Sequence, residues 1–206
     1  VQQGHLHMPA TESPSRDELK RAAVFEAAAT VFAQYGFRRT TMNDIAEAAG
    51  ISRPALYLMF ANKEQLFVEL ATFRLGQAVS AAEQALSADG PLSKRFLAAI
   101  LIFEEIFYEP IADSPHGAEL MDINISLKNE RMAASLEKLM TALTSALKKA
   151  DKAGEIDFGN SPARPREFVD LLFTGIGGIK KKATSGADFR RQVQRLTEIF
   201  LRTLNP

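Results

Sequence analysis

From Thr41 to Lys63 the chain reads TMNDIAEAAGISRPALYLMFANK: a short apolar-periodic helix, a glycine turn, a second short helix carrying Arg53 and Tyr57, and a capped start to a third. Thr41 and Asp44 stand at capping-box spacing, and Ile45, Ala46 and Ala49 fall on one face of the helix they open. Gly50 sits where a helix end favours a left-handed residue, Ile51 can plug the angle beyond it, and Ser52 is a good N-cap for the second helix. Pro54 fits the first turn of that helix, where its missing N–H breaks no bond, and Leu56 and Phe60, four apart, share a buried face. Arg53, Pro54, Ala55, Tyr57 and Leu58 are left facing outward. Two short helices meeting at such a corner make a helix-turn-helix, whose second helix enters the major groove by its N-terminal end. There Arg53 can donate two bonds to a guanine, and Pro54 and Ala55 can touch a thymine methyl. Asn62, with Gln65 three residues on, caps a further helix and sets Lys63 and free N–H groups where a phosphate can sit. The pattern alone also fits an ordinary pair of short helices in an all-α protein that binds no nucleic acid.

The longer run Val24–Leu70, VFEAAATVFAQYGFRRTTMNDIAEAAGISRPALYLMFANKEQLFVEL, closely resembles the N-terminal domain of the tetracycline-repressor (TetR) family. The likeness is carried by Phe32, Tyr35, Gly36 and Phe37, the Thr40-Thr41 pair, Asp44-Ile45-Ala46, Ala49-Gly50, Leu56-Tyr57, Phe60, Lys63 and Leu66-Phe67. It implies that Thr41, Tyr57 and Lys63 hold the phosphate backbone and that Arg53 and Pro54 touch bases; Arg39, Thr40, Ser52 and Ala55 complete the expected DNA-facing set. Met42 stands where some members place a base-contacting Arg, and Leu58-Met59 replaces an aromatic or basic residue followed by His. The operator bases therefore do not carry over with the resemblance.

Composition agrees with a regulator of this kind without demanding one. The 206 residues, 46% apolar, suffice for a small domain and a larger one, each with its own core. The absence of Cys excludes a disulfide framework and suits a reducing cytoplasm. No apolar run approaches the roughly 20 residues a bilayer requires. The opening VQQGHLHMPATESPSRD lacks the apolar core of a signal peptide; its GHLHM portion reads as an expression-tag remnant ahead of a disordered arm, residues 1–15, so His5 and His7 are set aside as metal ligands. Net charge is zero, whereas a duplex-binding domain is usually basic. Between Arg16 and Lys63, however, seven basic residues face five acids, and Arg38, Arg39, Arg53 and Lys63 fall in or near the expected DNA face.

Beyond residue 70 the pattern is helical throughout, so the expected fold is all-α: a three-helix DNA-binding domain over 16–62 and a helical effector-binding and dimerisation domain over 63–206. A helix from Lys63 to about Leu86 joins the two. Leu92, Phe96, Ile100, Phe103 and Phe107 make an apolar stripe that Pro110 ends. An element carrying Leu120, Met121 and Ile125 comes next, then a long helix marked by Met132, Leu136, Leu139, Leu143 and Leu147. The last two helices carry Phe168, Leu172, Gly175, Ile176 and Ile179, and then Phe189, Val193, Leu196 and Phe200. In the TetR family such a closing pair bundles with its copy in a second subunit, which implies a homodimer through about 165–184 and 187–204. Gly175, Gly177 and Gly178 agree, since each costs roughly 1 kcal/mol in a helix relative to Ala and close backbone contact is one compensation. A kinked helix packed within one chain would explain them too, while GIGGIK lacks the preceding strand that a phosphate cradle needs.

The family also implies a small-molecule effector pocket among the middle helices; Phe103, Phe107, Met121, Ile125, Leu172 and Phe173 are its candidates, with Glu104, Glu105 or Asp122 as polar anchors. Aromatic and Met residues at this spacing equally serve as core. Two recognition helices about 34–36 Å apart would read a palindromic double-stranded operator. No catalytic site, cofactor or metal is expected: without Cys, and with His116 the one His outside the tag-like segment, neither a Cys nucleophile nor a His-rich metal centre is available. The expected function is a cytoplasmic DNA-binding repressor released by an effector. The alternative is a helical interaction or ligand-binding protein of the same fold without operator binding.

Overall fold

The computed structural model describes residues 15–127, 129–159 and 161–204; the arm expected over 1–15 lies, but for Ser15, outside them. Ten helices and no strand appear among the described residues. They are α1 (Arg16–Tyr35), α2 (Met42–Ala48), α3 (Arg53–Met59), α4 (Lys63–Leu86), α5 (Leu92–Phe107), α6 (Glu109–Ala112), α7 (Gly117–Ser126), α8 (Glu130–Lys152), α9 (Pro165–Lys180) and α10 (Gly186–Arg202). The all-α expectation and the order of its elements are realised.

Local chemistry explains the boundaries. Ser15 and Glu18 close a capping box on α1, and Thr41 and Asp44 close one on α2. Asn62 caps α4 by accepting from the Gln65 N–H, though Gln65 returns its side chain to the Ala61 N–H rather than to Asn62. Pro110 does not merely end a helix: it enters the first turn of the four-residue α6, where its fixed φ is tolerated.

Two apolar cores result. In the first, Phe25 and Phe32 of α1 meet Ile45 of α2, Leu56 of α3 and Leu66, Phe67 and Leu70 of α4, with Leu120 of α7 joining them. The second gathers the far half of α4 with α5, α8, α9 and α10, and the expected stripes supply it: Phe96, Ile100, Leu139, Leu143, Leu147, Leu172, Phe189 and Val193 are all fully buried. At about 1.5–3 kcal/mol for each such side chain withdrawn from water, these faces dominate the helices' stability. Because α4 contributes to both cores over a length of about 36 Å, it links them mechanically. The α6–α7 corner adds polar ties: the Ser114 hydroxyl donates to the Ala33 carbonyl at the end of α1, and the Gly186 N–H opening α10 donates to Asp113.

Candidate nucleic-acid interface

The corner between α2 and α3 is built from hydrogen bonds that the sequence can name. After α2, Gly50 takes φ 65°, its N–H donates to Glu47, and the Ile51 N–H reaches back to Ala46. That is a Schellman closure, and only glycine enters its left-handed position without strain. Ser52 then accepts from the Ala55 N–H and starts α3, with Pro54 in the first turn.

Leu56 and Phe60 are sealed into the first core, which anchors α3 and points its opposite side outward. Ser52, Arg53, Pro54 and Tyr57 are exposed, while Ala55 is half-buried. The Arg53 guanidinium lies 5.5 Å from the centre of the Tyr57 ring, a cation–π contact that lines up a fork donor beside a phenol. Leu58 is 90% exposed, an apolar side chain aimed at solvent from the middle of the outer face. Helical spacing places it outward but outside the expected DNA-facing set, because nothing in the sequence states how fully α3 projects.

The segment before α2 departs from the simple picture of free cationic and hydroxyl donors. The Lys63 ammonium donates to the carbonyls of Phe37 (2.7 Å) and Thr40 (2.8 Å) and lies 4.6 Å from the Phe37 ring. Thr40 is buried, its hydroxyl donating to the Gly36 carbonyl at 2.6 Å. Both therefore shape the loop that presents Arg38, Arg39 and Thr41 to solvent. Thr41 donates from its backbone and from its hydroxyl to Asp44, and these bonds hold the Asp44 carboxyl below its ordinary pKa. On the far side of the loop, Glu119 of α7 accepts from the Arg38 N–H at 2.8 Å. No sequence signal reveals that long-range clamp, since 81 residues separate its partners.

The six candidate effector residues do not converge on a single void. Phe103 and Leu172 are buried in the second core, with Phe103 stacked on Phe107 and edge-on to Phe173. Met121 and Phe173 are half-buried against that core, Ile125 is 67% exposed, and Phe107 lines a cavity between α1, α4 and α7. Of the acids considered as anchors, Glu104 does point inward. Burial raises its pKa, but the Lys180 ammonium lies 2.8 Å away and opposes that rise, so its cation is internal. Glu105 pairs with Arg190 at the surface, and Asp122 is exposed.

Gly175 lies where an added Cβ would come within 2.8 Å of Leu196, so it permits close approach of α9 and α10 within one chain. Positions 177 and 178 face open space, and α9 runs unbroken through all three. Leu171 and Ile199, each 55% exposed, add apolar surface to the same two helices. His116 is half-buried, its ring 3.8 Å from Glu119. No helix is long and apolar enough to cross a membrane, among the described residues.

The sequence pattern of bacterial regulatory proteins of the tetR family matches residues 24–70, the stretch from the middle of α1 to the first turns of α4. The chain is 30% identical over 132 residues to the HTH-type transcriptional activator FasR of Mycolicibacterium smegmatis, an alignment covering 64% of this chain and 58% of that protein. It is 27% identical over 199 residues to the HTH-type transcriptional regulator TtgR of Pseudomonas putida, spanning 83% of this chain and 91% of the relative. In shape it is similar to the transcriptional regulator FadR of Bacillus subtilis, crystallised with stearoyl-CoA: the TM-score is 0.68 at 20% identity over 89% of this chain and 99% of that one.

Proposed function

Because the chain belongs to the TetR family of bacterial regulatory proteins, we propose that it is a DNA-binding transcriptional repressor that grips a palindromic operator as a homodimer and releases it when a small molecule binds. The observation that carries this reading is the outer face of α3: Arg53, Pro54, Tyr57 and Leu58 exposed, with Leu56 and Phe60 buried behind them. An α-helix seated in the major groove reads base edges with such a face. Arg53 donates two bonds to a guanine, Pro54 and Ala55 touch thymine methyls, and Tyr57 and Thr41 reach phosphates. Arg39 and Ser52 flank the contact. Lys63 and Thr40 support it by holding the loop in shape, and Lys63 reaches a phosphate only by releasing the carbonyls it holds.

The dimer is supported by the apolar surface that Leu171 and Ile199 leave on α9 and α10. Residues 16–62 act as the reading module and 63–206 as the effector-binding and dimerising part, in the cytoplasm where the duplex is. Repression follows from the simplest physics: a small dimer seated on a promoter excludes polymerase without an activating surface. Effector release is a population shift, since a ligand favouring wrongly spaced heads by about 1–3 kcal/mol weakens operator binding roughly 5- to 150-fold.

Selection from a pool of random duplexes tests the reading, followed by fluorescence anisotropy on the winning site. Arg53→Ala should weaken specific binding by about 1–3 kcal/mol and relax the preference for guanine at one position in each half-site. Failure of the unaltered chain to enrich any sequence would favour the alternative, a helical interaction or ligand-binding protein.

A further inference from the structure

Among the described residues Leu58 is the most exposed large apolar side chain, at 90%, and it stands on α3. An apolar side chain adds to stability by leaving water, and Leu58 leaves almost none of it, so the fold gives no reason for a leucine here. The chain also departs from the TetR pattern at this position, which holds an aromatic or basic residue in that family. What Leu58 does is therefore not inherited from the resemblance.

Its place on the helix is definite. At about 100° per residue, Leu58 lies about 200° around α3 from the buried Leu56, at the centre of the outer face. Pro54, one turn earlier, lies on the same line, whereas Tyr57 lies about 100° to one side and holds the Arg53 guanidinium 5.5 Å from its ring centre. The outer face thus divides into an apolar ridge, Pro54 and Leu58, and a polar flank, Arg53 and Tyr57.

A helix about 10–12 Å across fills a major groove about 12 Å wide, so the centre of its outer face meets the groove floor and its flanks meet the phosphate walls. Every base pair offers polar atoms on that floor, but the one apolar group there is the C5-methyl of thymine. Leucine neither donates nor accepts. Against guanine or cytosine edges it would strip water from polar atoms and return no bond, while against a thymine methyl both partners bury apolar surface. A protein partner would need a broader apolar patch, and on α3 only Tyr57 is exposed with Leu58 among the large apolar side chains.

We propose that Leu58 is a specificity-determining residue that reads the C5-methyl group of one thymine in each operator half-site. This role rests on the operator-binding reading above and adds a base contact that Arg53, Pro54 and Ala55 do not supply. Cytosine methylated at C5 carries the same methyl group on the same groove floor, so Leu58 favours it over plain cytosine at that position.

Uracil differs from thymine by the loss of that methyl group alone. On the duplex selected from the random pool, each thymine of one half-site is changed to uracil in turn, and binding of the full chain is followed by fluorescence anisotropy. Uracil at one position should weaken binding about three- to fivefold, the worth of one buried methyl group. Leu58→Ala should lose that penalty and keep those at thymines set against Pro54 or Ala55. The variant should melt with the parent, because Leu58 is open to water. At the same position, C5-methylated cytosine should bind better than plain cytosine with the unaltered chain and no better with Leu58→Ala. Uracil penalties that are the same in both proteins, or absent from both, would overturn the role of Leu58 while leaving the selected operator standing. A pool from which nothing is enriched would refute the operator reading and this role together.

Discussion

Replacing Lys63 by Met removes an ammonium while keeping an apolar stem of similar length, and the structure assigns a definite consequence to the change. The ammonium donates to the Phe37 and Thr40 carbonyls at 2.7 and 2.8 Å, with Arg38 a weaker third at 3.4 Å, and it lies over the Phe37 ring. A hydrogen bond to a charged group contributes about 1.5–3 kcal/mol and a cation–π contact about 0.5–1. The site is half-buried, so water recovers part of the loss when the ammonium goes. Lys63→Met should therefore destabilise the chain by about 2–3 kcal/mol, which lowers Tm by about 5–10 °C for a protein of this size. Calorimetry measures that directly. The slope of log K against log salt for operator binding provides the second reading, since each lost phosphate contact reduces its magnitude by about 0.9. A variant that melts with the parent but binds DNA with a slope shallower by about that amount would refute the structural role and return Lys63 to the phosphate.

Gly36 takes φ 78° and ψ 164°, a region open essentially to glycine, and an added Cβ would collide with the Glu119 carboxylate and come within 3.0 Å of the His116 ring. Gly36→Ala should therefore cost about 3 kcal/mol or more by chemical denaturation, and a loss under about 1 would contradict the geometry. The carboxyl of Asp44 titrates below its ordinary 3.8, so it contributes stability above that pH which is lost as pH falls through the lowered value. Asp44→Asn should accordingly melt below the parent at neutral pH, with the gap closing in acid; a gap independent of pH would mean that charge plays no part. Glu104 has the opposite sign: with its pKa raised by burial, its contribution declines as pH climbs from 4.5 through the raised value. Glu104→Gln should flatten that part of the melting curve against pH, and an unchanged profile would show that Lys180 fully offsets the burial. Under the proposed homodimer, Leu171→Arg should give a folded monomer by light scattering where the unaltered chain gives a dimer, with helical circular dichroism retained, and a dimer that survives would move the interface elsewhere.

Much of this molecule is written in local pattern. Capping residues such as Thr41 and Ser52, the glycine at 50 and the proline at 54 act over three or four residues, so the two-helix corner and the exposed edge of α3 are readable from their order alone. The apolar stripes on α5, α8, α9 and α10 are equally local, because one face of a helix recurs every three to four residues.

The sequence by itself determined an all-α chain, the corner that presents Arg53 and Tyr57, and the family resemblance. The tertiary structure decided what depends on groups far apart in the chain: Lys63 bound to loop carbonyls 23 and 26 residues away, Glu104 matched by Lys180, and Glu119 clamping Arg38. A side chain's type states which bonds it can form, but only the packed fold states which partner is within reach. The same lysine that would hold a phosphate on an open surface caps a loop when three carbonyls are turned toward it.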